Sequence, residues 1–234
     1  MPFPEPTAAH VQQYARQGFL VVEDAVPVSI LDDLRERADR IRERQLMMDW
    51  RTDAQGRPTR PEDQVIQGML ELDWIRWTEA PFHAWTLRFA QALTARPVAL
   101  WYNQLLDKPP HVGAATFWHQ DGALMGGSGA ERLISCWMPL REVDVDSGCM
   151  HFVEGGHRDG ILDHRIVHPD GADCSRGACI VDEARVRAAP LRAGGVTFHH
   201  GLMPHMTRTN RSPEWRQVLI QRFFDGRPPG APEP

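Results

Sequence analysis

Lysine is scarce in this chain of 234 residues; arginine greatly outnumbers it, which reads as a genomic bias first and as chemistry second. There is no excess of positive charge, the formal balance being −5, which argues against nucleic acid or an acidic lipid surface as the main partner. No run of about 18 apolar residues occurs, so no membrane-spanning helix is expected. The opening Met1-Pro2-Phe3-Pro4-Glu5-Pro6 has neither a basic region nor an apolar segment of signal-peptide type, so the cytoplasm is the expected compartment. Cysteine is limited to Cys136, Cys149, Cys174 and Cys179, with no Cys-x-x-Cys spacing. Free thiols are therefore expected rather than a disulfide framework. Only two tyrosines accompany eight tryptophans, and the tryptophans are read first as core.

What is present suits one globular domain over residues 1–234. Hydrophobic residues make up 42% of the chain, enough for a sizeable core. Thr7 to Gln17 is expected to be a helix capped by Thr7 and stopped by Gly18, leading into a strand at Phe19–Val22. Ser29 is read as opening a second helix that runs to about Met47, with Asp32 completing a capping-box pattern. Its apolar residues Ile30, Leu34, Ala38 and Ile41 recur at helical spacing. Residues 49–65 read as loop, and Phe82–Thr94 as helix. Residues 1–97 thus form mostly helical buttress and loop. From Val98 the texture changes to short apolar or alternating runs separated by turn residues. Strands are expected at Ala99–Leu105, Ala115–Asp121, Leu133–Pro139, Cys149–Val153, Val196–His199, Pro204–Thr207 and Arg216–Phe224. The fold class is mainly β with flanking helices: an antiparallel sandwich or barrel over 98–224, with 157–188 inserted as a loop.

The chemistry concentrates in Phe117-Trp118-His119-Gln120-Asp121 and in a late group, His199, His200 and His205, followed by Arg216. On a strand, residues i and i+2 share a face, so His119 and Asp121 would project together. Adding one late histidine gives two imidazoles and one carboxylate, a donor set suited to ferrous iron with open positions. His-x-Asp alone is weak; its combination with the late histidines and an arginine on the next strand is what gives it force. Arg216 offers a planar, permanently charged fork for a carboxylate, and Arg222, of the same strand parity, is its rival. His199 and His200, adjacent on a strand, should face opposite ways. His151 and His157 are read as ordinary structural histidines.

Phe117–Asp121, Trp137-Met138-Pro139-Leu140, Asp146–Met150, Glu154-Gly155-Gly156-His157 and the stretch from His200 to Arg216 together resemble the phytanoyl-CoA dioxygenase family of Fe(II)/2-oxoglutarate oxygenases. Tyr14–Val22 resembles that family's opening helix and strand, whereas 45–95 and 158–190 match poorly. The resemblance implies a double-stranded β-helix core of jelly-roll or cupin type. It implies Fe(II) held by His119, Asp121 and His205, with 2-oxoglutarate and O2 as co-substrates. It assigns Arg216 and Thr207 to the distal carboxylate of 2-oxoglutarate and places Trp137 beside it. Read from the sequence itself, Asn103, Gln104 and Lys108 are candidates to assist the co-substrate. Related halogenases lack the carboxylate ligand, so Asp121 implies hydroxylation, desaturation or oxidative ring closure. The implied substrate is a small molecule, such as a natural-product or sugar-containing intermediate of the kind handled by orthosomycin-type oxygenases; a monomer or homodimer is expected. A cationic cluster for the phosphates of an acyl-CoA is not evident. Two other classes share the metal donors. One is a zinc hydrolase activating water; the other is a non-catalytic barrel that binds a metal or metabolite.

Overall fold

Thr7 opens the first helix, α1 (Ala8–Gln17), through a reciprocal cap. Its hydroxyl accepts from the His10 backbone N–H, and His10 Nδ1 accepts from the Thr7 N–H, each at 3.2 Å. Gly18, with φ +80°, ends the helix while its N–H donates to the Tyr14 carbonyl. The computed structural model describes residues 3–43, 64–67, 81–111, 113, 115–124, 129–165 and 178–226. Beyond α1 these form β1 (Phe19–Val22), α2 (Val28–Glu43), β2 (Gln64–Gln67), α3 (Pro81–Thr94), β3 (Ala99–Lys108), β4 (Thr116–His119) and α4 (Asp121–Leu124). There follow β5 (Leu133–Pro139), β6 (Met150–Val153), β7 (His164–Arg165), β8 (Ala178–Cys179), β9 (Val186–Ala189), β10 (Val196–His200), β11 (His205–Thr207) and β12 (Arg216–Phe224).

One antiparallel sheet has the order β1-β10-β5-β12-β3-β2, and a second has β4-β11-β6-β9. The two face each other as a double-stranded β-helix. Alternation along the larger sheet builds two cores. Leu20, Ile134, Cys136, Met138, Phe198 and Leu219 point outward against Tyr14 of α1, Leu31 and Leu34 of α2, and Trp85 and Phe89 of α3. Phe198 stacks on Phe89 with ring centroids 5.2 Å apart. Phe19, Trp137, Val218 and Ile220 point inward and meet Met150 and Phe152 of the smaller sheet. Phe19 stacks on Phe152 at 4.5 Å.

The structure departs from expectation in four places. Gln64 and Val65, at the end of the expected 49–65 loop, belong to β2, which pairs with β3. Helix α2 starts at Val28, so Ser29 lies inside its first turn rather than capping it. Residues 186–188, expected at the end of an inserted loop, belong instead to the edge strand Val186–Ala189 paired with β6, and β7 and β8 form a small ribbon. Strand β4 stops at His119, and Asp121 begins the helical turn α4. The 49–63 part of the expected early loop, the Met125-Gly126-Gly127 segment, the middle of the 157–188 segment (166–177) and Cys174 lie outside the described residues. The three described cysteines are free and buried.

Candidate metal centre and co-substrate pocket

Strands β4 and β11 pair so that His119 lies directly opposite His205. The two imidazole centroids are 4.1 Å apart. In each, Nδ1 is 2.8 Å from the carbonyl oxygen two residues earlier, Phe117 for His119 and Met203 for His205. A carbonyl can only accept, so Nδ1 carries the proton and Nε2 presents a bare lone pair. Asp121 is brought to them by the break in the strand, not by strand alternation. The chain leaves β4 after His119 and turns into α4, which swings the carboxylate back over the imidazoles. Its Oδ1 is 3.9 Å from His119 Nε2 and 4.0 Å from His205 Nε2. The three donor atoms all lie within 4.8 Å of one another.

The turn that makes this possible depends on close backbone approach. The Gly122 N–H donates to the Gly201 carbonyl (2.8 Å), tying the turn to the loop between β10 and β11. A Cβ on Gly122 would run into Ala130. Gln120, between the two ligands, is fully buried and donates to the carbonyls of Leu202 (2.6 Å) and Gly160 (2.8 Å), while its oxygen accepts from the Leu162 N–H (2.8 Å). It laces the metal motif to two loops.

Asp121 is 3% exposed and its carboxylate is surrounded by donors. Ser135 Oγ donates to Oδ2 at 2.7 Å. Arg222 donates from Nε to Oδ2 (3.3 Å) and from its terminal nitrogen to Oδ1 (3.1 Å). His199 Nε2 lies 3.4 Å from Oδ2. Burial raises the carboxyl's pKa, but Arg222, His199 and His205 together outweigh it and hold the group well below the usual carboxylate range. Burial pushes His119 down to about 3 and His205 down to about 4, each helped by a neighbouring imidazole. Two neutral imidazoles and one carboxylate are the protonation states a divalent cation requires. With one nitrogen or oxygen from each side chain, the set fits ferrous iron, and Zn(II) would also accept it.

Farther along the same inner face lies a second polar group. Arg216 opens β12 opposite Lys108 at the end of β3 and is 2% exposed. Its guanidinium carbon stands 5.7 Å from the centre of the Trp137 ring. Thr207, two residues beyond His205 on the same face of β11, accepts from Lys108 Nζ at 2.9 Å. Asn210 holds the connecting turn by donating to the carbonyls of Lys108 (3.1 Å), Pro109 (3.0 Å) and Glu214 (2.8 Å). Arg222, the rival for the carboxylate grip, sits instead at the metal end, where it also donates to Gln104 Oε1 (3.0 Å). Gln104 therefore belongs with Arg222 and not with Arg216. His199 faces inward, whereas His200 points to the other side, near Tyr14 and His157. His151 Nδ1 is 3.2 Å from the Cys149 carbonyl.

Residues 14–218 match the model of the phytanoyl-CoA dioxygenase (PhyH) family. The chain belongs to that family. A phytanoyl-CoA dioxygenase domain-containing protein 1 homolog of Caenorhabditis briggsae is 23% identical over 179 residues, which cover 71% of this chain and 61% of that protein. This chain therefore spans less than two thirds of that relative. The crystal structure of EvdO2 from Micromonospora carbonacea var. aurantiaca superposes with a TM-score of 0.81 at 25% identity, covering 100% of this chain and 97% of that one. EvdO2 has also been crystallised with 2-oxoglutarate. The epimerase SnoN from nogalamycin biosynthesis, solved with Fe3+, alpha ketoglutarate and nogalamycin RO, shares the fold at TM-score 0.74 and 22% identity, over 95% of this chain and 86% of that one.

Ser135 and Gln120 were not singled out from sequence as site residues. Ser135 had a visible signal: it is a polar residue sharing the inward parity of Trp137 within an otherwise apolar strand. Gln120 had none, because its three bonds reach loops that no periodicity predicts.

Proposed function

We propose that the protein is an Fe(II)- and 2-oxoglutarate-dependent oxygenase that hydroxylates a small molecule or closes a ring in it oxidatively. The observation that carries this is one inner face bearing two polar groups of different kind. The donors of His119, Asp121 and His205 converge at one end, and Arg216, Thr207 and Lys108 gather two strand residues farther on. His205 and Thr207 are spaced by roughly 7 Å along β11, comparable to the length of a five-carbon diacid. A hydrolytic zinc site has no use for a buried guanidinium and hydroxyl at that distance.

Iron, 2-oxoglutarate and O2 would supply the oxidising chemistry, giving succinate and carbon dioxide as co-products. The chain's part is to bind, orient and exclude. His119 and His205 are fixed through their Nδ1–H bonds, and Asp121 through Ser135 and Arg222. Such outer hydrogen bonds hold ligands in one orientation before the metal arrives. Arg216 and Thr207 would hold the far carboxylate of 2-oxoglutarate, with Trp137 as a wall. The side chains of His119 and Arg222 are 19% and 16% exposed, against 6% for His205. The primary substrate would therefore approach past His119 and Arg222. The likeness to SnoN, an enzyme of nogalamycin biosynthesis, supports a natural-product intermediate over an acyl-CoA, and the family resemblance suggests a sugar-containing one.

The test is oxygen-dependent succinate release from 2-oxoglutarate with Fe(II), screened over glycosylated intermediates. Turnover is expected with Fe(II), absent with Zn(II), and lost in the Ala variants of His119, Asp121 and His205. Full activity in all three variants, or turnover of a hydrolysable substrate with Zn(II), would overturn the proposal.

A further inference from the structure

The chain contains one lysine, Lys108, among its 26 basic side chains, and that lysine is completely buried. A genomic preference for arginine accounts for the other basic residues and makes this one conspicuous. Burying an ammonium is costly unless its donors are satisfied, so the position needs what a compact, three-donor cation supplies and a planar guanidinium does not. Lys108 Nζ donates to Thr207 Oγ1 (2.9 Å) and Thr116 Oγ1 (3.2 Å), with the Arg208 carbonyl at 3.5 Å. Thr207 and Thr116 are themselves cross-strand partners on β11 and β4. Lys108 and Arg216 are cross-strand partners on β3 and β12. One ammonium thus joins the larger sheet to the smaller at the level where Arg216 enters.

The direction of these bonds has a chemical consequence. A threonine oxygen that accepts from an ammonium has one of its two lone pairs committed there, and its own proton must point elsewhere. The acceptor bond to a cation also makes that O–H a stronger donor. We propose that Lys108 is a positioning residue of the co-substrate pocket: by donating to Thr207 it turns the Thr207 hydroxyl proton toward the distal carboxylate of 2-oxoglutarate, beside Arg216, and so sets the preference for a dicarboxylic 2-oxo acid. This rests on the proposed assignment of 2-oxoglutarate to the pocket. Lys108 acts through the hydroxyl and through its charge, and makes no covalent step.

The test is direct binding by calorimetry, without oxygen, on the Fe(II)-loaded protein. The probes are 2-oxoglutarate and 2-oxopentanoate, which has the same chain without the second carboxylate. The wild type is expected to prefer the diacid. Lys108→Met should weaken 2-oxoglutarate binding by about tenfold or more, the effect of losing one charge-assisted bond, and leave 2-oxopentanoate unchanged. Lys108→Gln, which keeps a neutral donor, should lose less. A merely structural lysine would weaken both acids alike, and that result, or no change in either, overturns the inference. Because the chain has a single lysine, the wild type also carries its own reporter. With lysine 13C-labelled at the ε-carbon in the Zn(II)-loaded protein, the single ε-methylene resonance should shift with 2-oxoglutarate and move far less with 2-oxopentanoate; equal shifts count against the proposal even if neither variant folds. Arg216→Ala separates the two levels. If neither it nor the wild type distinguishes diacid from monoacid, the pocket assignment itself falls. If Arg216→Ala abolishes a wild-type preference that Lys108→Met leaves intact, only the role of Lys108 falls.

Discussion

Asp121 accepts from Ser135 and Arg222, with His199 close by, while facing two bare imidazole nitrogens, so its orientation is set by the protein before a cation arrives. Removing the Ser135 hydroxyl leaves the carboxylate in place and loosens its hold. Ser135→Ala is therefore expected to weaken Fe(II) binding by about 10–100-fold with secondary structure unchanged, measured by equilibrium competition with a chelator. Unaltered affinity would mean Arg222 alone suffices. A histidine outside the ligand set adds to the acid sensitivity that the two buried ligand imidazoles also carry. Burial lowers His200 to about 4, with His157 and Arg96 adding and Glu131 opposing, and its Nδ1 accepts from the Leu202 N–H (3.0 Å), which only the neutral ring can do. Below its ordinary value near 6.5, the unfolded chain takes up a proton that the folded one refuses. The stability contributed by neutral His200 is thus present above that value and drains away as pH falls toward 4. His200→Gln should flatten the fall in the urea midpoint between pH 7 and 5 relative to the wild type; parallel curves would contradict this.

At the scale of elements, the lesson of sequence reading is mixed. Strands β5 and β12 match their expected limits residue for residue, because each carries a period-two pattern buried on both faces and is closed by turn residues. The convergence of His119, Asp121 and His205 was legible as well, yet strand alternation is not what produces it. Strand alternation would have sufficed for His119 and Asp121 only if β4 continued, and it ends at His119 itself. The bond from Gly122 to Gly201 and the close approach of Ala130 produce the turn, and such tertiary contacts leave no periodic trace. Gly122→Ala is expected to displace the α4 turn and lower metal affinity more than global stability. Chelator competition set against thermal melting would show it, and a proportional loss of both would refute it. Likewise, β9 was hidden in a stretch of arginine and alanine with no apolar rhythm; it exists because β6 offers it an edge.

For the molecule as a whole, the fold class was readable because the helical first third and the strand-rich remainder differ in texture. What texture could not show is that the two parts share a sheet. Strand β1, from the helical third, pairs with β10, the strand that carries His199 and feeds the loop to His205. Around it, the Gly155 N–H donates to the Gln17 carbonyl, the His200 N–H to the Gly18 carbonyl, and Arg158 to the Arg16 carbonyl. The N-terminal segment is thereby bound into the body that holds the metal ligands.

That arrangement gives β1 a protective duty. It lies at the border of the larger sheet and shields the hydrogen-bonding groups along one side of β10. A version of the chain lacking residues 1–22 would offer β10 as a raw margin, open to adhesion by a strand from another molecule. Light scattering on such a truncation should reveal self-association under conditions where the full chain stays dispersed, and a dispersed, well-folded truncation would show that β10 needs no such guard.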